Sequence, residues 1–214
     1  MRQVGLLGSI MCALLLSAYS VFGIRSGTEQ ASYAVIAHLS DDTEVRRYPS
    51  RLVAETSVTV ADEQGGRNTA FRTLFDYISG ANQSRAKVAM TSPVETAAGP
   101  EKVAMTAPVE TRVGASGEFT MRFFLPADYT LETAPQPTDP AVRIVEVPER
   151  TIAVLRFSGS RSPDTIARRS QALDEVLAGS AWRPDGEPLT MFYDPPWTIP
   201  ALRRNEVAVP VVQG

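Results

Sequence analysis

Two different hydrophobic periods follow one another along this chain in the same order twice, and that order limits the folds open to it. Residues 51–60 alternate, with Leu52, Ala54, Thr56, Val58 and Val60 on one face, and Phe119, Met121, Phe123 and Leu125 do the same before Pro126. Residues 142–147, 150–157, 189–194 and 205–211 read likewise. Period-two runs bounded by Pro, Gly and Asp are the pattern of half-buried antiparallel strands. Two segments break the period. Residues 68–79 place Phe71, Leu74, Phe75 and Ile78 on one helical face, with Gly80 as a stop. Ser162-Pro163-Asp164 offers a capping serine, a proline at the first helical position and an early acid; Ile166, Leu173 and Leu177 then recur at helical spacing up to Gly179. Strands, helix, strands, repeated once, predict an α+β architecture with pseudo-twofold character rather than a parallel βαβ fold.

Composition narrows the chemistry by what it lacks. Of 214 residues, 43% are hydrophobic and 21% charged, the balance of a globular chain with a net charge of −3. Lys87 and Lys102 are the only lysines, and no basic run or stripe occurs, so nucleic acid is not expected as a partner. Cys12 is the single cysteine, which excludes a disulfide framework, a CxxC motif and covalently attached haem; His38 is the single histidine, which excludes any site needing two imidazoles.

Arg2 precedes an uncharged run from residue 4 to residue 24, and Ala18-Tyr19-Ser20 and Val21-Phe22-Gly23 carry small residues where a signal peptidase needs them. The run's 21 residues also suffice to cross a bilayer. Residues 1–25 therefore read as a signal peptide or a membrane anchor, residues 26–32 as a short polar linker, and residues 33–212 as the exported, extracytoplasmic body. A periplasmic or secreted location follows from either reading.

A ten-residue segment is repeated. Lys87 to Thr96 recurs as Lys102 to Thr111 with nine of ten positions identical at an offset of 15, too short for a solenoid unit. Ala98-Gly99-Pro100 supplies a turn between the copies, so they are expected to pair as neighbouring strands. The second copy, continued by the apolar pattern of residues 109–113, is expected to be the more integral, with Met105 buried.

These segments resemble the SOUL haem-binding protein family. The resemblance is carried by Thr43-Glu44-Val45-Arg46-Arg47-Tyr48, by Tyr77-Ile78-Ser79-Gly80-Ala81-Asn82, by the Lys-Val-Ala-Met-Thr-(Ser/Ala)-Pro-Val motif found twice, by Phe123-Phe124-Leu125-Pro126, and by Tyr193-Asp194-Pro195-Pro196 followed by Arg203-Arg204-Asn205-Glu206. They occur in the family's order over residues 33–212. The resemblance implies one domain, a distorted antiparallel β-barrel flanked by two helices and built from two similar halves. It also implies non-covalent binding of haem or another tetrapyrrole in an apolar cleft beside the first helix.

Candidate contacts follow from ligand chemistry. The macrocycle needs an apolar surface, for which Phe71, Leu74 and Phe75 are the candidates. Its propionates need a cation, for which Arg67 and Arg72 are placed, with Arg72 preferred. Some family members carry a basic residue one position before the tyrosine of the Tyr77 motif; here that position is Asp76, which departs from the family's propionate arrangement. Iron accepts imidazole, thioether or phenolate. His38 is the one imidazole, but it stands beside a polar turn at residues 39–43, and no family motif marks it, so haem binding is expected not to depend on it. Met90, Met105, Met121 and Met191 offer thioethers, each with core filling as the ordinary alternative, and Met90 and Met105 stand out for lying in the repeat. Tyr77 and Tyr193 offer phenolates, with a buried backbone-bonded tyrosine as the alternative. Arg203 and Arg204 read as wet, with Asn205 shaping the turn into the last strand.

No Gly-x-Ser-x-Gly elbow, Walker loop, HExxH or paired carboxylate motif is present, so no enzyme is expected. The reading is a binding, buffering or transport protein for a tetrapyrrole. Its rivals are a module for another apolar or cationic small molecule and an enzyme that degrades haem or a related pigment.

Overall fold

The structure, a computed structural model, describes residues 27–59, 63–85, 99–114 and 117–214. Its strands are β1 (Ala34–Ser40), β2 (Thr43–Tyr48), β3 (Arg51–Thr59), β4 (Asn82–Gln83), β5 (Val109–Val113), β6 (Glu118–Phe124), β7 (Gln136–Pro137), β8 (Arg143–Val147), β9 (Arg150–Phe157), β10 (Trp182–Pro184), β11 (Leu189–Phe192) and β12 (Asn205–Gln213). Two helices interrupt them, α1 (Glu63–Ser79) and α2 (Pro163–Ala178).

One strongly curled antiparallel sheet, a half-barrel, runs β1-β2-β9-β12-β11-β5-β6-β3-β8, with β10 added beside β12; β4 and β7 pair separately. The order is symmetric under exchange of halves. From one side it reads β2-β9-β12-β11 and from the other β8-β3-β6-β5, and the exchange that maps β3 to β9 and β6 to β12 also maps α1 to α2. The dyad falls between β11 and β5, where Met191 faces Glu110. Each half lends a strand to the other, because β2 precedes β3 in the chain yet pairs with β9, while β8 precedes β9 and pairs with β3. Neither half can therefore fold away from its mate.

Both helices pack on the sheet, α2 through the face its sequence prescribes and α1 through a neighbouring face that leaves Phe71 and Phe75 exposed. Ala70, Leu74, Tyr77 and Ile78 of α1 are buried against Ala54, Phe119, Met121 and Phe123. Leu173 and Leu177 of α2 are buried against Val45, Leu155, Phe157, Val207 and Val209. Ser162 caps α2, its hydroxyl accepting from the Thr165 amide at 3.4 Å, and Pro163 opens the helix. Gly80, at φ 126°, ends α1 in a backbone conformation that other residues resist. The helix begins at Glu63, earlier than the expected residue 68, although Gly65 and Gly66 weaken its first turn. Packing on β3 and β6 offsets that low propensity.

The polar stretch that leads into β1 is hydrogen-bonded to the body from Glu29 onward: the Ala31 amide donates to Ala107 O, the Ala107 amide to Glu29 O and the Ala127 amide to the Glu29 carboxylate, at 2.9, 2.9 and 3.0 Å. Two expectations are corrected. The second repeat copy is extended coil up to Thr106, docked at the end of α1 through Val103 N to Ile78 O at 2.9 Å; its strand begins only at Val109. The first copy, Met90 included, lies outside the described residues, as does the apolar run 4–24. Met105 is 41% exposed and not buried; Val103, Thr106 and Ala107 are the residues of this stretch that turn inward.

Candidate functional site

Helix α1 divides the residues nominated for the macrocycle between two environments. Leu74 is wholly buried in the core beneath the helix, where no ligand touches it without opening the fold. Phe71 and Phe75 instead face solvent, 38% and 45% exposed. One turn apart, they stack on each other with centroids 5.9 Å apart and planes at 15°, and Phe71 meets Phe123 edge-on at 5.5 Å. That contact with a buried strand residue fixes the pair in place, so the helix displays a preformed aromatic surface. Arg72 is exposed on the same helix beside Phe71, and Asp76 is exposed beside Phe75. Arg67, one turn earlier, is half-buried with its guanidinium 5.1 Å from the ring centre of Phe192. Met105 sits on the coil docked at the far end of α1 and is the exposed methionine among the described residues, since Met121 and Met191 lie in the core.

The tyrosines nominated as phenolates are held as phenols. Tyr77 donates its hydroxyl to Pro135 O at 2.9 Å, and burial pushes its pKa well above the ordinary value. Tyr193 donates to Glu206 Oε2 at 2.7 Å, and burial, reinforced by that carboxylate, raises its pKa far beyond the usual range. Tyr193 also lies on the face of the sheet away from the helices, packed with Tyr48, Ile152, Met191 and Ala208, so it does not share a surface with Phe71.

That helix-free face is charged but internally satisfied for most of its length. Glu206, with no exposure, accepts from Tyr193, from Arg46 Nη1 at 3.0 Å, and from Arg204 Nε and Nη2 at 2.9 and 2.7 Å. A second cluster joins Glu55 to Arg122 and Arg143, and Glu110 to Arg122 and Arg150. Partners on adjacent strands bring these charges together, as with Glu55 opposite Arg122 and Arg122 opposite Glu110. Arg204 is thus an ion-pair residue and not a wet one. Arg203 donates Nε to Thr198 O and Nη2 to Pro196 O, at 2.8 and 2.6 Å. Nothing in the alternation of β6 or β12 marks these charges as internal.

Arg51 is the exception on that face. Its guanidinium lies between the rings of Tyr48 and Phe124, at 4.1 and 4.5 Å, yet its three nitrogens are buried with no hydrogen-bond partner. Burial and the neighbouring Arg150 both disfavour its charge. A groove of about 450 Å³ opens near it, lined by Ser50, Arg51, Leu52, Tyr129, Leu131, Glu132 and Glu146. Its two carboxylates make it ill suited to a ligand bearing propionates.

His38 stands on edge strand β1 with its side chain 71% exposed and Nδ1 3.8 Å from Glu44. Strands β2, β9, β12, β11 and β5 separate it in sheet order from β6 and β3, which carry α1. Among the described residues no cluster of three or more His, Cys, Asp or Glu could hold a metal ion.

The geometry defines an α+β protein, a curled antiparallel half-barrel with two symmetry-related helices. Residues 28–210 match the model of the SOUL heme-binding protein family, and the chain belongs to that family. It is 29% identical over 174 residues to human heme-binding protein 2, covering 77% of this chain and 75% of that protein. Among solved structures, the C-terminal domain of EcmrR superposes with a TM-score of 0.58 at 12% identity, over 80% of this chain and 98% of the other. A protein from Listeria innocua described as a hydrolase superposes at 0.51 and 13% identity, over 80% and 92%. Likeness at such identities concerns the fold alone.

Proposed function

We propose that this protein binds haem or a related tetrapyrrole non-covalently on the solvent face of α1, with Phe71 and Phe75 against the macrocycle and Arg72 toward a propionate. The observation that carries the reading is the exposed, stacked Phe71–Phe75 pair in a chain that belongs to a haem-binding family. A soluble protein gains nothing from two exposed aromatic rings held rigid by a buried third unless a flat apolar partner covers them. Covering about 300 Å² of apolar protein surface at roughly 25 cal/mol/Å² contributes on the order of 7 kcal/mol before ordering costs, enough for micromolar affinity without a metal bond. Met105 is the thioether that solvent can reach on the adjoining coil, and His38 is not used.

The role is binding, buffering or transport and not catalysis, carried out outside the cytoplasm by a body exported through residues 1–25, which either stay as an anchor or are cleaved. Titrating the full chain with haemin tests the ligand. A saturable Soret shift that Phe71→Asp abolishes supports the reading, and a titration without saturation or indifferent to Phe71→Asp overturns it. Following the bound Soret band under reductant and oxygen separates binding from degradation. Fractionating cells and weighing the recovered chain tests export.

A further inference from the structure

The loop between β11 and β12 spends several interactions to hold apolar side chains out in water. Trp197 is 63% exposed, and Ile199 and Leu202 are exposed as well. The backbone that carries them is not loose. Thr198, wholly buried, is the pivot, with its amide bonded to Pro195 O at 3.2 Å; the Gly159 amide donates to Pro200 O at 2.8 Å, and Arg203 clamps the carbonyls of Pro196 and Thr198. A short 3-10 turn over Pro200–Leu202, with Leu202 N bonded to Ile199 O at 2.9 Å, closes the loop. Rigid display of Trp, Ile and Leu on one small loop exposes apolar surface that a collapsed loop would bury.

Two further observations say what covers it. The first is charge. Arg161, bonded to Asn205 Oδ1 and Asp194 O at 2.8 Å each, stands near Arg203 and Arg67, and its charge is disfavoured first by burial and then by those two cations. Arg67 and Arg161 both lie over the ring of Phe192, at 5.1 and 4.9 Å, on the strand that leads into the loop. The base of the loop therefore gathers three guanidiniums, with Asp194 as the one carboxylate beside Arg161. The second is the path of the chain. Arg204, at the loop's exit, reaches Gln30 Oε1 and the Tyr33 hydroxyl at 3.3 and 3.4 Å. The pinned segment 29–33 thus passes this same end of the half-barrel, with four residues, Arg25 among them, between it and the uncharged run 4–24.

We infer that the 195–203 loop is a membrane-contacting element: Trp197, Ile199 and Leu202 enter the interfacial layer of a bilayer carrying anionic lipid while Arg67, Arg161 and Arg203 face its phosphates. Tryptophan with an aliphatic pair at the tip and arginine at the base matches the layering of a membrane interface, apolar inward and cationic at the headgroups. The contact would set the orientation of the domain on the membrane, with the ligand-binding face of α1 to one side.

The test uses the full-length Trp182→Phe variant, in which Trp197 is the only tryptophan, with vesicles of phosphatidylcholine and phosphatidylglycerol. The expected result is a blue shift of Trp197 emission, about twofold loss of intensity with acyl-chain-brominated lipid, and weaker effects in phosphatidylcholine alone. Where Trp182→Phe does not fold, the wild-type blue shift must vanish in Trp197→Phe. Emission indifferent to vesicles and still quenched by aqueous iodide overturns the inference. So does a shift that follows protein concentration without lipid, which would assign the loop to a second copy of the chain.

Discussion

The Tyr193 hydroxyl donates to Glu206 Oε2 at 2.7 Å, and the carboxylate it reaches has no exposure to solvent. Tyr193 directly follows β11 and Glu206 is the second residue of β12, so the bond spans the loop between the two strands. With Arg46 and Arg204 it brings four donors to two oxygens, which is the full acceptor capacity of a carboxylate. A buried charge so satisfied is tolerated; one left half-satisfied is not.

Tyr193→Phe and Glu206→Gln should therefore differ. The first removes one neutral donor and should cost about 1–2 kcal/mol. The second leaves Arg46 and Arg204 without their anion and should cost about 3–5 kcal/mol. Urea melts read both, and equal losses would show that the carboxylate is not the centre of the cluster.

Two buried arginines should respond in opposite directions to the same replacement. Arg46→Met strips Glu206 of a cation and should destabilise by several kcal/mol, on the order of 3–5. Arg51→Met removes a guanidinium whose three nitrogens have no partner. It forfeits two ring contacts of about 1 kcal/mol each but also the desolvation cost of a buried cation, which is larger. Thermal melts should show Arg51→Met unchanged or more stable than the wild type, and a large loss there would mean that Arg51 has an acceptor.

Alkaline titration should reveal the buried phenols. Burial raises the pKa of Tyr48, Tyr77 and Tyr193, so the folded state favours the protonated forms. For a group whose folded pKa lies above the unfolded one, the stabilisation is fully present below the unfolded value near 10 and is lost as pH rises beyond it. Absorbance at the phenolate band should show these three ionising only with unfolding, seen as coincidence with loss of the far-ultraviolet signal. Tyr129, which donates to Glu101 and whose pKa burial and that carboxylate push up to about 12, should lag without being locked. Reversible ionisation of all tyrosines in a folded chain near pH 10 would contradict the burial.

Variants on α1 should separate ligand contact from core. Phe75→Asp changes an exposed ring and should weaken haemin binding tenfold or more while leaving the melting temperature close to wild type. Leu74→Asp puts a charge into the core and should unfold the protein before any binding can be read. His38→Ala should leave the Soret position and the dissociation constant unmoved, and Met105→Ala, an exposed truncation, should cost less than about 1 kcal/mol of stability. A binding loss confined to His38→Ala would transfer the site to β1.

The α+β class, the two helices and the longer strands were legible because each depends on neighbours a few residues away. Ser162 and Pro163 start α2 wherever the chain goes next, and residues 152–155 form a short continuous apolar run of strand length, buried on both faces of the sheet. Strands β1 and β2 were harder to read. β1 is an edge strand exposed along most of its length, and β2 carries Glu44, Arg46 and Tyr48 on one face, so neither shows a plain apolar–polar alternation.

Local pattern determined that Phe71, Leu74, Phe75 and Ile78 fall on one side of a helix, and the family resemblance singled out the Tyr-Asp-Pro-Pro and Arg-Arg-Asn-Glu segments. It did not separate Leu74 from Phe71, because a helical face spans about 100° and only the line of contact with β3 and β6 decides which edge is buried. Nor did it place Arg204 inside the protein. That depended on β12 lying between β9 and β11, which surrounds Glu206 with donors from Arg46 and Tyr193. Whether a charge is wet or buried is a property of what lies across the sheet, 160 residues away in the case of Arg46 and Glu206, and no spacing along the chain records it.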